Sequence, residues 1–469
     1  MPAMKKSWSI LLCACVACVL WLFPVSSEIP KEGQEVFAIF IAIIVSFLLR
    51  PLPMGAMVLL SLIVLLTTKT IDMNQALSGY GDPTVWLVVA AFLISGAVVE
   101  TGFGRRIALF FISQFGKNIF GVAYALCASE LLLGPVVPSN TARGGGIHAP
   151  LARSLAEALK SHPDKDPDRA GSYLSLVGSH ANMTTAGMFL TGMAANPLLA
   201  KAATEILNIE FGWMTWLIGT IVPGLVSLGL LPLFIYKMAP PTLRDTRDAQ
   251  KEVREQYRKL GPWSRSEKWM ATVFVLMILL WTTGDFHGMD TTLVAWVGVC
   301  ILFLTDTLTW DRMIRNFGAW DALIWLGGLL TLATLLKDYG FVDWFASSVS
   351  GILPDTNAMF VLMLLALVYF FSMYLFSQLT AHIAAFIGGY FALASTYSIP
   401  PMTMAALFAG FSTLCGCLTP YASGPCIIYF GQGYVPLVRW FRVGFLVGIY
   451  HITIWFTVGM MWWKLLGWW

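Results

Sequence analysis

Two short polar runs, each set inside a strongly apolar stretch, hold the residues best suited to bind a ligand. The first is Pro138-Ser139-Asn140-Thr141-Ala142-Arg143, approached through Gly134-Pro135 and left through Gly144-Gly145-Gly146. The second is Ser377-Gln378-Leu379-Thr380-Ala381-His382, between the apolar stretches 371–376 and 383–394. Backbone that leaves the helix at membrane depth strands N–H and C=O groups at a cost of several kcal/mol each, so it persists only where protein or a polar cavity covers it. Where a helix restarts after such a break, its free N–H groups and positive dipole end attract carboxylates. Ser139, Asn140 and Thr141 add hydroxyl and amide donors at one tip, and Ser377, Thr380 and His382 do so at the other. Two such tips meeting near the midplane can hold the two ends of a dicarboxylate. The same residue types also act as interhelical hydrogen-bond glue. Their occurrence at corresponding places in two halves favours ligand binding and points to a secondary transporter.

Charge at the tips is a separate question. Arg143 and His382 offer fixed or titratable positive charge to an anion. Arg143 can instead snorkel or pair with Glu130, and His382 can serve as a neutral interhelical bond. His148 and His180 have no counterpart in the other half and read as packing residues or as supports behind the site, while Glu130 and Asp321 are weaker candidates as proton carriers.

The elements that position the tips are membrane helices. Charged residues make up 12% of the 469 residues and apolar ones 57%, with a mean hydropathy of +0.73, which excludes a soluble multidomain protein. A net charge of +3 without a basic stripe gives no reason to expect nucleic acid. The eight cysteines lie in or beside apolar segments, with no zinc-type or secreted spacing, and read as packing residues. At about 20 residues per span, crossings fall near 8–24, 34–50, 53–69, 84–101, 172–200, 211–237, 269–285, 291–306, 320–338, 400–430 and 441–465. That is about eleven transmembrane helices, the first preceded by Lys5-Lys6 and read as a span rather than a signal peptide. Segments 119–158 and 357–397 each have two apolar arms about a polar tip, and are expected to be re-entrant hairpins. Lys and Arg crowd into 105–117, 160–169 and 238–268, whereas 70–83, 286–290 and 339–356 have none. This places the N-terminus in the cytoplasm, the C-terminus in the periplasm, and the two hairpins in opposite orientations.

An internal repeat fits the same plan. Trp86-Leu87 and Thr101-Gly102-Phe103 are echoed by Trp325-Leu326 and Tyr339-Gly340-Phe341. Each set leads into an amphipathic stretch (103–117 and 341–353), a hairpin, and a span interrupted as Thr-x-x-Ala-x-x-Pro: Thr191, Ala194, Pro197 and Thr419, Ala422, Pro425. The expected layout is 1–83 as N-terminal scaffold helices, 84–210 as the first inverted half, 211–306 as further scaffold with the loop 238–268, and 307–469 as the second half.

The run Pro138–Gly145 resembles the Ser-Asn-Thr signature of the divalent anion:sodium symporter family. The run Leu418-Thr419-Pro420-Tyr421-Ala422-Ser423-Gly424-Pro425, continuing to Tyr434, is similar to the family's second-half signature. The likeness covers nearly the whole chain and is greatest to the branch of citrate/succinate and tartrate/succinate antiporters and plant 2-oxoglutarate/malate translocators. It implies a lipid-embedded homodimer with a scaffold and a mobile transport domain, working as an elevator on di- or tricarboxylates. It adds Thr419 and Ser423 to the substrate set, and Ser139, Asn140, Gly192 and Ala422 as a candidate sodium site.

Departures from the family pattern bear on coupling. Sodium symporters carry Ser-Asn-Thr in both hairpins, but here the second reads Ala381-His382-Ile383, which removes an oxygen ligand. The resulting expectation is obligate anion exchange with no cofactor, and the alternative is sodium-coupled symport. Either way the membrane is expected to be a bacterial cytoplasmic one, since no Arg/Ser-rich transit peptide precedes the first span. No His-Glu-x-x-His, Gly-x-Ser-x-Gly or paired intramembrane Asp supports an enzyme.

Overall fold

The computed structural model describes residues 6–349 and 357–469, so Lys5 and the end of the expected amphipathic stretch (350–353) lie outside it. Among the described residues all extended regular structure is helical, and one isolated bridge joins Asn118 to Asp245. Helix lies on every span expected from hydropathy. Among the described residues, eight helices are long and apolar enough to cross a membrane by length and composition, from Lys31–Leu49 to Leu437–Leu465.

The helices pack in two groups. Lys31–Leu49, Met54–Thr67, Pro83–Glu100, Thr291–Leu304 and Phe317–Asp338 lie against one another, with Arg265–Thr282 on Thr291–Leu304. Ile119–Leu133, Ala149–Ala158, Gly171–Met188, Trp213–Met238, Pro401–Leu414 and Leu437–Ile454 form the second group. Gly171–Met188 is its centre, and all 18 of its residues are buried although they include Ser172, Ser175, Ser179, His180, Asn182, Thr184 and Thr185. A helix buried on every side has no solvent face for its polar residues, so they must find partners inside.

Two short helices lead from the first group toward the hairpins, Phe103–Phe115 and Phe341–Val349. Each follows a left-handed glycine, Gly102 (φ 75°) and Gly340 (φ 72°), a conformation that other residues adopt only at a cost. The two halves also agree at their interrupted helices. Pro197 stands in the first turn of Asn196–Ile206 and Pro425 in that of Gly424–Gly431, where a missing N–H costs nothing. Arg106, counted above among the loop charges, is instead buried: its Nε and Nη2 donate to the two oxygens of Glu267 at 2.6 and 3.0 Å. Trp463 near the end of the chain is fully buried as well, and its indole donates to Gly219 O at 2.7 Å.

Candidate functional site

At the first tip, Ile119–Leu133 ends and the chain is unwound only over 134–139, with Asn140 already helical. From Thr141 the helix continues as a wide π-turn, Thr141–His148, that runs into Ala149–Ala158. The Gly144-Gly145-Gly146 run is therefore helical rather than unwound. What its lack of side chains admits is not another backbone but the Asn182 amide, which lies where a Cβ on Gly144 would fall, 2.6 Å from Nδ2. The Ser139 hydroxyl accepts from Ala142 N (3.1 Å), and Arg143 N donates to Ser139 O (2.9 Å).

Behind this tip is a closed ionic network. Glu130 and Arg143 are both 0% exposed. Arg143 Nε donates to Glu130 Oε2 at 2.6 Å, Nη1 to Val137 O at 2.6 Å and Gly192 O at 3.2 Å, and Nη2 to Thr185 Oγ1 at 3.3 Å. Asn182 Nδ2 donates to both Glu130 oxygens (3.1 Å each) and to Asn140 O (3.2 Å). His148 Nδ1 lies 3.1 Å from Glu130 Oε1, and its Nε2 is 2.8 Å from Ser129 Oγ. The expectation that Arg143 presents free positive charge to a substrate is not met by this geometry. Its charge is matched by Glu130, and its donors are spent on the carbonyls that shape the tip.

The second tip is built differently. Ala358–Ser372 ends in a short turn, Met373–Leu375, and helix resumes at Leu379, so Thr380 and His382 are helical rather than part of an unwound run. His382 is fully buried, with its ring 4.3 Å from Tyr369, 5.2 Å from Phe376 and 5.5 Å from Phe386 (centroid to centroid). Its Nε2 bonds Ser372 Oγ at 2.8 Å. It ties the two arms of its own hairpin together and is enclosed by rings, while its Nδ1 is buried without a partner among the described residues. Thr380 is half-buried, and Ser377 Oγ has no hydrogen-bond partner among the described residues.

The interrupted helices bring the tips together. Thr141 packs on Gly424, where a Cβ would meet Thr141 Oγ1 at 2.3 Å, and Leu379 N donates to Ala422 O at 2.9 Å. The second break thus bridges Thr141 of one tip and Leu379 of the other. The first break reaches its own tip through Thr191 Oγ1 on Pro135 O and Arg143 on Gly192 O. Ser423 Oγ lies 3.3 Å from Cys426 Sγ and 3.5 Å from Met183 Sδ. Asn140 Nδ2 and Thr419 Oγ1 are buried without a partner among the described residues. Of the expected set, Ser139, Asn140, Thr141, Thr419, Ser423, Ser377 and Thr380 lie on the two tips and the break that joins them.

Sequence reasoning missed Asn182 and Thr185. The available signal was the density of polar residues in Gly171–Met188, where Ser179, Asn182 and Thr185 recur at helical spacing on one face.

A family model described as the sodium:sulfate symporter transmembrane region matches residues 4–469. YflS of Bacillus subtilis (strain 168), whose name proposes it as a malate transporter, is 40% identical over 461 residues, 98% of this chain and 96% of its own. The chloroplastic dicarboxylate transporter 1 of Arabidopsis thaliana is 38% identical over 454 residues, 96% of this chain and 82% of its own. Among solved structures, Neisseria gonorrhoeae MtrF, from a class of antimetabolite efflux pumps, superposes with a TM-score of 0.58 at 12% identity, covering 96% of this chain and 97% of its own, a likeness of fold alone. The helical fold and full-length match agree: this chain is a membrane transport protein, not an enzyme, and belongs to the sodium:sulfate symporter family, the divalent anion:sodium symporters.

Proposed function

We propose that this protein exchanges di- or tricarboxylates such as succinate, malate, 2-oxoglutarate, tartrate or citrate across a bacterial cytoplasmic membrane. The observation that carries the reading is the meeting of tips and breaks at Thr141–Gly424 and Leu379–Ala422, beside the unpartnered Asn140 Nδ2 and Thr419 Oγ1. Helices restart there at Asn140, Leu379 and Gly424, so the positive ends of three helices gather about one place, the environment a carboxylate needs. Ser139, Asn140 and Thr141 take one carboxylate in this reading. Ser377, Thr380, Thr419 and Ser423 take the other, and His382 supports the second hairpin. The names of YflS and the chloroplast transporter favour this class of cargo.

Coupling follows from the same contacts. Sodium would need oxygen ligands, and of the groups expected for it the Gly192 carbonyl accepts from Arg143 Nη1 and the Ala422 carbonyl from Leu379 N. With both carbonyls already accepting from protein donors, the expected set offers sodium a poor choice of free oxygens there. Donors that no ion neutralises are best satisfied by the substrate itself, and an empty polar site at membrane depth is costly to move. Return loaded with a second anion, which is exchange, avoids that cost.

In this reading the second helix group moves as an elevator against the first within a homodimer, and it takes in Trp213–Met238 although 211–306 is expected from the sequence as scaffold. About eleven spans and two opposed hairpins carry the chain, and the N-terminus is cytoplasmic. Proteoliposomes loaded with or without succinate test it. Labelled succinate should enter only loaded vesicles, with or without a sodium gradient. Sodium-driven uptake into empty vesicles would replace exchange with symport.

A further inference from the structure

Asn182 bonds both the buried ion pair and, at Asn140 O, the backbone of the first tip. Its amide has two hydrogens. With Nδ2 3.1 Å from each Glu130 oxygen and 3.2 Å from Asn140 O, one hydrogen serves the carboxylate and the other the tip carbonyl. Asn182 is 0% exposed and lies in the space that Gly144 leaves open. Asn140, whose carbonyl it holds, is 8% exposed, and its own amide nitrogen is unpartnered. We propose that Asn182, seated over Gly144 and anchored by Glu130, is a positioning residue that fixes the Asn140 peptide so that the Asn140 amide and the Thr141 N–H face the substrate carboxylate.

The residue type is specific to the task. Leucine has a similar shape but no donor, so it would release the Asn140 carbonyl. Aspartate would set a second carboxylate against Glu130. The ion pair does not depend on Asn182, because Glu130 keeps Arg143, His148 and Thr185. Loss of Asn182 therefore frees the tip and leaves the network behind it standing.

The proposal rests on the reading that this tip binds the carboxylate, and the experiment keeps the two apart. Succinate exchange is measured in proteoliposomes at varied external succinate, with internal succinate held constant. Asn182→Leu should raise the half-saturating concentration about ten-fold or more, the size expected for losing a hydrogen bond that orders a charged ligand, with the maximal rate changed by less than about three-fold. A merely structural defect would lower the maximal rate and leave half-saturation alone. Gly144→Ala pushes the Asn182 amide out from the other side and should have the same effect, and the double variant should be no worse than either single one. If Asn182→Leu fails to fold, Gly144→Ala and Asn182→Ser carry the test. Unchanged half-saturation in folded variants, or effects that simply add, would overturn the proposal. Normal exchange by Asn140→Ala would instead remove the tip from the site, a failure of the underlying reading.

Discussion

The two hairpins occupy equivalent places in the repeat, yet their tips are held by opposite means. The first is fixed from behind by charge: Glu130 and Arg143 with Asn182, Thr185 and His148, all fully buried and all from its own helix group. Among the described residues the second has no ion pair behind it. Aromatic rings enclose His382, and a single polar link ties its arms at Ser372. Its outer edge is held from the other helix group, where Arg50 Nη2 donates to Ser377 O at 2.6 Å. Arg50 itself is in the left-handed region (φ 51°) just before Pro51, a strained place for a non-glycine residue that the rest of the fold must support. Two hairpins at corresponding places along the chain thus share a path for the backbone without sharing the chemistry that stiffens it. Ionic locking keeps the first tip one rigid piece with its group. The second is anchored to a surface against which, in the elevator reading, that group slides.

The largest effect should come from breaking the ionic lock. Arg143→Gln leaves the Glu130 carboxylate buried without its main partner, which costs about 3–5 kcal/mol, read as a lower melting temperature of the purified protein in detergent. Replacing both, Arg143→Gln with Glu130→Gln, should recover most of that loss, because two neutral amides need no charge balance. The equivalent change at the second tip should be mild. His382→Phe keeps the ring packing and removes only the bond to Ser372, for about 1 kcal/mol. Comparable losses at the two tips would end the contrast drawn between them.

The helices and the places where they break could be read from the sequence because both depend on local composition. Apolar runs of the right length, the left-handed Gly102 and Gly340, and the helix-starting Pro197 and Pro425 need no tertiary information. The extent of each break was harder to read. A triple glycine looks like unwound chain, and only the arrival of Asn182 beside Gly144 explains why the run is helical and must still lack side chains there. The fate of the charges was legible only as alternatives, with pairing of Arg143 to Glu130 and a neutral bond at His382 among them. Whether Arg143 faces a ligand or a carboxylate turns on Glu130, 13 residues earlier on the opposite arm, and on which way the chain reverses between them. The aromatic enclosure of His382 likewise draws on residues from both arms of the hairpin.

Arg50 offers the finest test of the comparison, and the smallest effect. Arg50→Gln shortens the side chain and removes its charge while leaving the local backbone requirement in place. The link to Ser377 exists in this conformation, and if the second group slides it is broken in the other. Its loss then disfavours this conformation alone. A ligand's apparent affinity falls with the population of the state that binds it. Half-saturation for succinate should therefore rise on the face served by this conformation and fall on the opposite face. With an exposed charge-assisted bond contributing up to about 1 kcal/mol, each shift is about two- to five-fold, measured with oriented vesicles and substrate varied on one side at a time. Shifts in the same direction on both faces would mean that Arg50 merely shapes the Ser377 end of the site, and that the second tip, like the first, is held in place throughout the cycle.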